Sequence, residues 1–125
     1  ALPAYVQHIL FLGGANDILQ GRKLDAIMHD YQRLHEFCQE KNYSLCIILP
    51  FISADEWMNR HLLNLKQELE TCFSEKAFLL DVQPAIGLDA GARKRAYLDG
   101  VHPLVGIYTA IGAYAAPKLQ AWIQK

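Results

Sequence analysis

The chain has 125 residues, of which 52% are hydrophobic and 20% are charged, and its formal net charge is −1. This length fits one domain over residues 1–125, and the composition excludes a disordered chain. The balanced charge argues against a nucleic-acid-binding protein, which would need a basic face. The longest apolar run, residues 45–52, is too short to span a membrane.

Three apolar runs predict the strands of a sheet. They cover residues 6–12, 45–51 and 77–82, the last more weakly. Nearly continuous apolar character is typical of parallel strands that are covered on both faces. The runs are therefore expected to form a parallel sheet with helices packed on each side.

Helical patterns separate and follow these strands. Apolar residues recur at helical spacing over residues 23–41 and 54–73. Ser53 and Glu56 predict a capping box at the start of the second helix. A third pattern, near the C-terminus, contains Pro117, which is expected to kink that helix or to split off its last turns.

The order of these elements predicts an α/β fold with right-handed crossovers. The first strand, residues 6–12, is too apolar to be an exposed edge of the sheet. We therefore expect a neighbouring strand–helix–strand unit of roughly 30 residues or more, absent from this sequence. A second copy of the chain is the alternative partner for that strand.

The cysteines and most of the histidines are interpreted as structural. The three cysteines are odd in number and form no C-x-x-C motif, so neither a disulfide framework nor a zinc site is indicated. All three are expected to be buried, and reduced thiols favour a cytoplasmic location. His29 and His35 are predicted on the solvent side of the first helix. The cysteines and histidines interpreted as structural are Cys38, Cys46, Cys72, His8, His29, His35 and His61.

Two glycines, an alanine and the pair Asn16 and Asp17 follow the first predicted strand directly. Ligands of open parallel sheets collect beyond the carboxyl ends of the strands. The side-chain amide of Asn16 is a donor that can stabilise an oxyanion. The alternative is an ordinary loop asparagine that tolerates an unusual backbone angle. Asp17 is interpreted as structural, bonding backbone amides of its turn. G-x-G-x-x-G is absent, so no dinucleotide site is supported.

A second motif, D-x-x-H-P, precedes the last helical pattern. Asp99 lies three residues before His102. In a turn, this spacing can place the Asp99 carboxylate against the imidazole Nδ1 of His102. That contact fixes the tautomer and leaves Nε2 free to act as a base. Pro103 suits the first turn of the following helix. The alternatives are a surface histidine at a helix start, or two metal ligands that lack a third at a telling spacing.

Together the two motifs resemble those of the SGNH hydrolases, also called the GDSL esterase/lipase family. The resemblance implies a flavodoxin-like three-layer α/β/α sandwich with a parallel sheet. It implies that Asn16, in the third block of the family, donates to the oxyanion hole, and that Asp99 and His102, in the fifth, are the acid and base of a Ser-His-Asp triad. The implied reaction is hydrolysis of a small-molecule carboxylic ester or thioester through an acyl-enzyme, without metal or organic cofactor.

The sequence departs from the family in its first two blocks. The Gly-Asp-Ser block with the nucleophile and the block with the oxyanion glycine are both absent. Ser44, Ser53 and Ser74 do not follow a strand in such a context, and they are interpreted as turn or cap residues. We therefore expect the nucleophile to lie outside these 125 residues, in the same unit that would cover the first strand. The alternative is a catalytically inactive SGNH-like fragment or binding module.

Several residues near these motifs are candidates for contact with a substrate. Gly14 precedes Asn16, and Phe51 and Trp57 follow the second strand, where they either line an acyl pocket or pack in the core. The basic residues 93–95 either meet an anionic substrate or form a solvated loop.

Overall fold

The computed structural model describes residues 7–53, 55–87 and 105–125, without the side chains of residues 16 and 105–107. Within these ranges the elements follow one another as strand, helices, strand, helix, strand, turn and helix. In chain order they are β1 (His8–Phe11), α1 (Ala15–Leu19), α2 (Leu24–Lys41), β2 (Ser44–Ile48), α3 (Glu56–Phe73), β3 (Phe78–Leu80), a 3-10 turn (Gln83–Ala85) and α4 (Val105–Ile123).

The three strands form one parallel sheet in the order β1-β2-β3. His8 lies opposite Ser44 in the register of β1 and β2, and Cys46 lies opposite Phe78 in that of β2 and β3. This confirms the parallel sheet predicted from the apolar runs. Because all three strands point the same way, their carboxyl ends share one rim of the sheet.

The alternation of side chains along β2 produces a core on each face of the sheet. Leu45 and Ile47 pack into a first cluster with the apolar faces of α2 and α3. Cys46 and Ile48 pack into a second cluster with Ala115 of α4. The helices therefore cover both faces, which confirms the predicted three-layer α/β/α arrangement.

The buried stripe of α2 differs from the prediction at its C-terminal end. His35 is 7% exposed and lies edge-on to Phe73, so its predicted position on the solvent side is wrong. The stripe advances by three or four residues at each step, from Tyr31 to His35 and Cys38. Phe37 falls outside it and is exposed, with its ring edge-on to Tyr43. An imidazole thus occupies a helical position that the apolar pattern assigned to the surface.

Helix α3 begins with a different cap from the predicted one. The Asp55 side chain accepts a hydrogen bond from the Met58 backbone N–H at 3.1 Å, so Asp55 is the N-cap. Ser53 lies two residues earlier, and its hydroxyl accepts from the Asp55 N–H at 3.0 Å. The predicted capping box of Ser53 and Glu56 is therefore wrong, because the helix begins only at Glu56.

The prediction of three buried cysteines holds for two of them. Cys38 and Cys46 are buried, whereas Cys72 is exposed. Phe73, next to Cys72, takes the core position at the end of α3 and is 1% exposed. Burial raises the pKa of the Cys46 thiol to about 11, and it raises that of Cys38 as well.

Helix α4 continues through Pro117 as one helix. Of the two predicted outcomes, a kink or a separation of the last turns, the separation is therefore wrong. Proline removes a backbone donor from the helix interior. Leu119 and Trp122, beyond the proline, pack against the second cluster. Those contacts hold the last turns against the sheet. No helix in the described ranges is both long enough and apolar enough to cross a membrane.

Candidate active site at the carboxyl rim of the sheet

The backbone turn after β1 is built from glycines in close contact with the core. The Gly13 carbonyl accepts a hydrogen bond from the Tyr31 hydroxyl at 3.1 Å. Gly14 has φ +104°, and a Cβ at this position would lie 2.5 Å from Cδ2 of Leu65. Gly14 is therefore required for both its backbone angle and its size. Its buried position supports a structural role, and the predicted substrate contact stays a prediction.

Asn16 is the second residue of the short helix α1, directly beyond the carboxyl end of β1. The helix is joined to the preceding turn by a hydrogen bond from the Ile18 N–H to the Gly14 carbonyl at 3.0 Å. Ile18 is also buried in the first cluster. The backbone of Asn16 is thus held at the rim where the sequence predicted it, while its side chain lies outside the described part of the structure.

Asp17 makes an ion pair rather than the predicted bonds to backbone amides. The Arg22 guanidinium donates to the Asp17 carboxylate at 2.8 Å and to that of Asp30 at 2.6 Å. The paired Arg22 holds the pKa of Asp30 below its usual range, and the two carboxylates raise the pKa of Arg22. These side chains are solvent-exposed, so the pairing contributes little stability. Because the Asp17 carboxylate is paired with Arg22, the ion pair supports the structural interpretation of Asp17.

The loop that follows β2 is the second component of the rim. Phe51 is half-buried and packs against the second cluster, so part of its ring serves the core. Asn59 of α3 clamps Ser53 from two sides: its Oδ1 accepts from the Ser53 N–H at 2.6 Å, and its Nδ2 donates to the Ser53 carbonyl at 2.9 Å. Trp57 is 52% exposed, with its ring 4.6 Å from that of His61, so packing in the core does not explain it.

The third component is the 3-10 turn that follows β3. The Gln83 side chain accepts from the Ile52 N–H at 2.7 Å and donates to the Gly87 carbonyl at 2.8 Å. Asp81 accepts from the Gln83 N–H at 2.9 Å and pairs with Lys66 at 3.2 Å. The β2 loop and the β3 loop are therefore bonded to each other at the rim.

Asp99, His102 and the basic residues 93–95 lie outside the described residues, in the segment 88–104. The structure describes only what flanks this segment. Gly87 ends the part before it, with φ +92°, and α4 follows it and packs against the 3-10 turn. The triad roles of Asp99 and His102 stay predictions.

Two cavities in the described part of the chain are lined by no described residue of the turn after β1 or of the loop after β2. One of about 430 Å³ lies between β3 and α4 and is lined in part by Leu80, Tyr114 and Lys118. The other, of about 380 Å³, lies at the amino ends of β2 and β3 and is lined in part by His35 and Ser44. Within the described ranges, no three histidine, cysteine or acidic side chains come together as metal ligands would.

Sequence reasoning missed the polar residues that fix the rim loops. Asn59 and Gln83 are both buried. Asn59 shares the buried stripe of α3 with Met58 and Leu62. A polar residue within an apolar stripe is the sequence pattern that could have identified it as a buried residue with hydrogen-bond partners. No comparable pattern marks Gln83, because its bonding partners are backbone groups of Ile52 and Gly87 that no side-chain pattern announces.

Comparison with solved structures shows that the chain has an SGNH-like α/β fold. A GDSL-like lipase from Bacteroides thetaiotaomicron superposes with a TM-score of 0.73 at 15% sequence identity, over 90% of this chain and 61% of that one. A carbohydrate esterase family 3 protein from Talaromyces cellulolyticus gives a TM-score of 0.73 at 19% identity, over 94% of this chain and 59% of that one.

The likenesses confirm the predicted fold, and the chain spans about 60% of the length of these two structures. No protein-family model matches the sequence, and no curated protein is significantly similar to it.

Proposed function

We propose that the complete protein is a serine esterase of the SGNH type, with its nucleophile outside these 125 residues. The observation that carries the proposal is the placement of Asn16 just beyond the carboxyl end of β1, in a fold shared with a GDSL-like lipase and a carbohydrate esterase. The carboxyl rim is where ligands of open parallel sheets bind. The loops after β2 and β3 meet at the same rim, since Gln83 bonds to Ile52.

In the proposed mechanism, the serine hydroxyl attacks the ester carbonyl and forms a bond from its oxygen to the carbonyl carbon. His102 Nε2 accepts the serine proton, and it then donates this proton to the departing alcohol or thiol. Asp99 orients His102 through Nδ1 and stabilises the imidazolium. Asn16 Nδ2 donates a hydrogen bond to the oxyanion. Water, deprotonated by His102, then attacks the acyl carbon. The bond from that carbon to the serine oxygen breaks, His102 returns the proton to the serine oxygen, and the acid is released.

The substrate class that this chemistry fits is a small-molecule carboxylic ester or thioester. The steps are nucleophilic attack by serine and then by water, with side-chain proton transfers and hydrogen bonds, so the proposed mechanism requires neither a metal nor an organic cofactor. Phe51, half-buried at the rim, and the exposed Trp57 are the described aromatic residues best placed to contact an acyl or alcohol group. The whole protein would require the strand unit that supplies the serine and covers β1.

The test is an esterase assay on the complete gene product with p-nitrophenyl acetate. His102→Ala should lower kcat/KM by about 10³-fold or more, as expected for loss of the base. Asn16→Ala should lower kcat by about 10²–10³-fold, the usual effect of removing one oxyanion donor. His29→Ala, on the exposed face of α2, is the control and should leave both constants unchanged.

Unchanged activity in His102→Ala would contradict the esterase proposal. No activity in the wild-type gene product towards any short acyl ester would instead favour the alternative of an inactive SGNH-like binding module. A Gly-Asp-Ser motif after an apolar strand in the upstream coding sequence favours the enzyme independently of any assay.

A further inference from the structure

The cavity of about 380 Å³ lies at the amino ends of β2 and β3, at the opposite end of the strands from the carboxyl rim. Its lining includes the first residue of each strand, Ser44 and Phe78, and we call it the amino-end cavity. Pockets that bind small molecules measure about 300–1,000 Å³. The amino-end cavity therefore has room for a small ligand.

His35 is the buried polar residue of the amino-end cavity. It is 7% exposed, and its ring lies edge-on to Phe73 with 5.9 Å between the centroids. Its Nδ1 is buried and has no hydrogen-bond partner among the described residues. Buried polar atoms are nearly always bonded, because an unpaired one lowers the stability of the folded state. A turn of the ring by half a revolution exchanges Nδ1 with Cδ2 and hardly changes its outline, so this nitrogen can be offered to a ligand.

Two helices end at the amino-end cavity. Cys38 and Gln39 belong to the last turn of α2, and Ser74 directly follows the end of α3. The C-terminal end of a helix carries a partial negative charge, which favours a cation. Glu75 adds a carboxylate to the lining. The helix ends and this carboxylate therefore favour a positively charged ligand over an anion.

Lys76 is the opposing charge in the lining. Its ammonium lies 6.0 Å from the centroid of the Phe73 ring, at the limit of a cation–π contact. Glu75 and Lys76 are both exposed, so water and salt screen the two charges alike. Their effects on a ligand largely cancel. The helix ends and the imidazole remain, and together they favour a cation that can donate a hydrogen bond.

An organic cation fits the amino-end cavity better than a metal ion does. His35, Cys38 and Glu75 all line it, but within the described ranges no three such side chains come together as metal ligands would. Burial also raises the pKa of the Cys38 thiol, whereas a metal binds the thiolate. An ammonium group needs only one or two acceptors, and hydrogen bonds from a charged donor are strong.

We propose that the amino-end cavity binds a small molecule that carries a primary ammonium group, such as an amino alcohol. The ammonium donates to the His35 imidazole and to the Glu75 carboxylate. The rest of the ligand lies among the polar side chains of Gln39, Ser44 and Ser74. The inference does not rest on the proposed esterase function, because the residues that carry it lie outside the candidate active site.

The first measurement is a titration of the complete gene product with ethanolamine at about pH 8, followed through the histidine ring nitrogens in long-range 1H–15N NMR spectra. The His35 signals should shift and saturate at millimolar ethanolamine, since so small a ligand binds weakly. His29, exposed on the same helix, is the internal control and should not shift. Glycerol, a neutral probe, and sodium acetate, an anionic one, should give no saturable shift of His35.

The second measurement compares variants. Glu75→Gln should raise the Kd for ethanolamine by about 2- to 5-fold, as loss of an exposed charged partner does. Glu70→Gln, at an exposed position of α3 outside the lining, is the matched control and should leave the Kd unchanged. His35→Phe keeps an aromatic ring beside Phe73 without a polar atom. Saturating ethanolamine should raise the Tm of the wild type and leave that of His35→Phe unchanged.

The absence of a saturable His35 shift with ethanolamine would overturn the proposal. An equal or larger shift with glycerol or acetate would overturn it as well, because the ligand would then not be recognised by its ammonium group. If Glu75→Gln binds ethanolamine as tightly as Glu70→Gln does, the carboxylate is not a partner and the proposed site is wrong. Since Glu75 is exposed, this comparison remains decisive even where His35→Phe does not fold.

Discussion

Gly14 lies where the backbone leaves β1 and turns towards Asn16, and a Cβ at this position would require the Leu65 side chain to shift. Its φ of +104° disfavours any residue with a side chain, and the Leu65 side chain occupies the space a Cβ would need. The Asn16 backbone is thus positioned by a contact between a turn and the middle of α3. The sequence predicted a turn here, but not Leu65 as the residue that shapes it.

We expect Gly14→Ala to destabilise the protein by about 2–4 kcal/mol, the sum of backbone strain and overpacking. The measurement is urea denaturation of the folded protein. Gly21→Ala is the matched control, since Gly21 also has positive φ, at +78°, but no other atom lies within 4 Å of where its Cβ would be. It should cost about 1–2 kcal/mol from the backbone alone. Equal losses in the two variants would contradict the steric role of Leu65.

The reactivity of the cysteines tests which of them are buried in the core. Cys72 is exposed, whereas burial raises the pKa of Cys46 to about 11 and also raises that of Cys38. Because the thiolate is the reactive form, both buried thiols should resist alkylation near neutral pH. Mass spectrometry after brief iodoacetamide treatment should find one label, on Cys72, and labels on all the cysteines after unfolding. Rapid labelling of Cys46 in the folded protein would contradict the described packing.

The strands and long helices could be predicted from the sequence because each buries a continuous stripe or face. β2 shows this best, since Leu45, Cys46, Ile47 and Ile48 are all buried. The prediction of buried helix positions failed where a polar residue lies within the buried stripe. His35 is the clearest case, because hydrophobic periodicity assigns an imidazole to the surface although its buried ring lies edge-on to Phe73.

Helix starts were less predictable, because a cap depends on where the backbone becomes helical. Ser53 and Glu56 match a capping box in sequence, yet Asp55 caps α3. We expect Asp55→Ala to lower the free energy of unfolding by about 1 kcal/mol. Asp55→Asn, which keeps a side-chain acceptor, is the control and should cost clearly less. Denaturation curves that show no loss for Asp55→Ala would mean that another group caps the helix.

The whole molecule carries its candidate site at one rim and an apolar strand at one edge of the described sheet. The sequence predicted the site from the carboxyl ends of the parallel strands, which stays a prediction, and it predicted the uncovered strand from the apolar character of residues 6–12. It could not find how the rim loops are joined, since Gln83 and Asn59 bond mainly to backbone groups. Backbone positions at a rim are set by tertiary structure and leave no pattern in the sequence.

The apolar edge predicts how the 125-residue chain behaves on its own. β1 pairs with β2 alone in the described sheet, and Leu10 and Leu12 are 50% and 51% exposed. Unpaired apolar edges associate. Sedimentation velocity at about 50 µM should therefore show oligomers, and Leu10→Lys should shift them towards monomer. Leu63 of α3 is equally exposed, and Leu63→Lys should leave the oligomers unchanged. A monomeric wild-type chain would contradict this expectation.

The proposed esterase requires the Asn16 amide and the His102 imidazole to converge at the carboxyl rim. A crystal structure of the complete gene product after reaction with a p-nitrophenyl alkylphosphonate would show whether they do. We expect a covalent serine adduct whose phosphoryl oxygen lies about 3 Å from Asn16 Nδ2, with His102 Nε2 hydrogen-bonded to the same adduct. Asn16 and His102 on opposite sides of the sheet, or an adduct bound away from this rim, would contradict it.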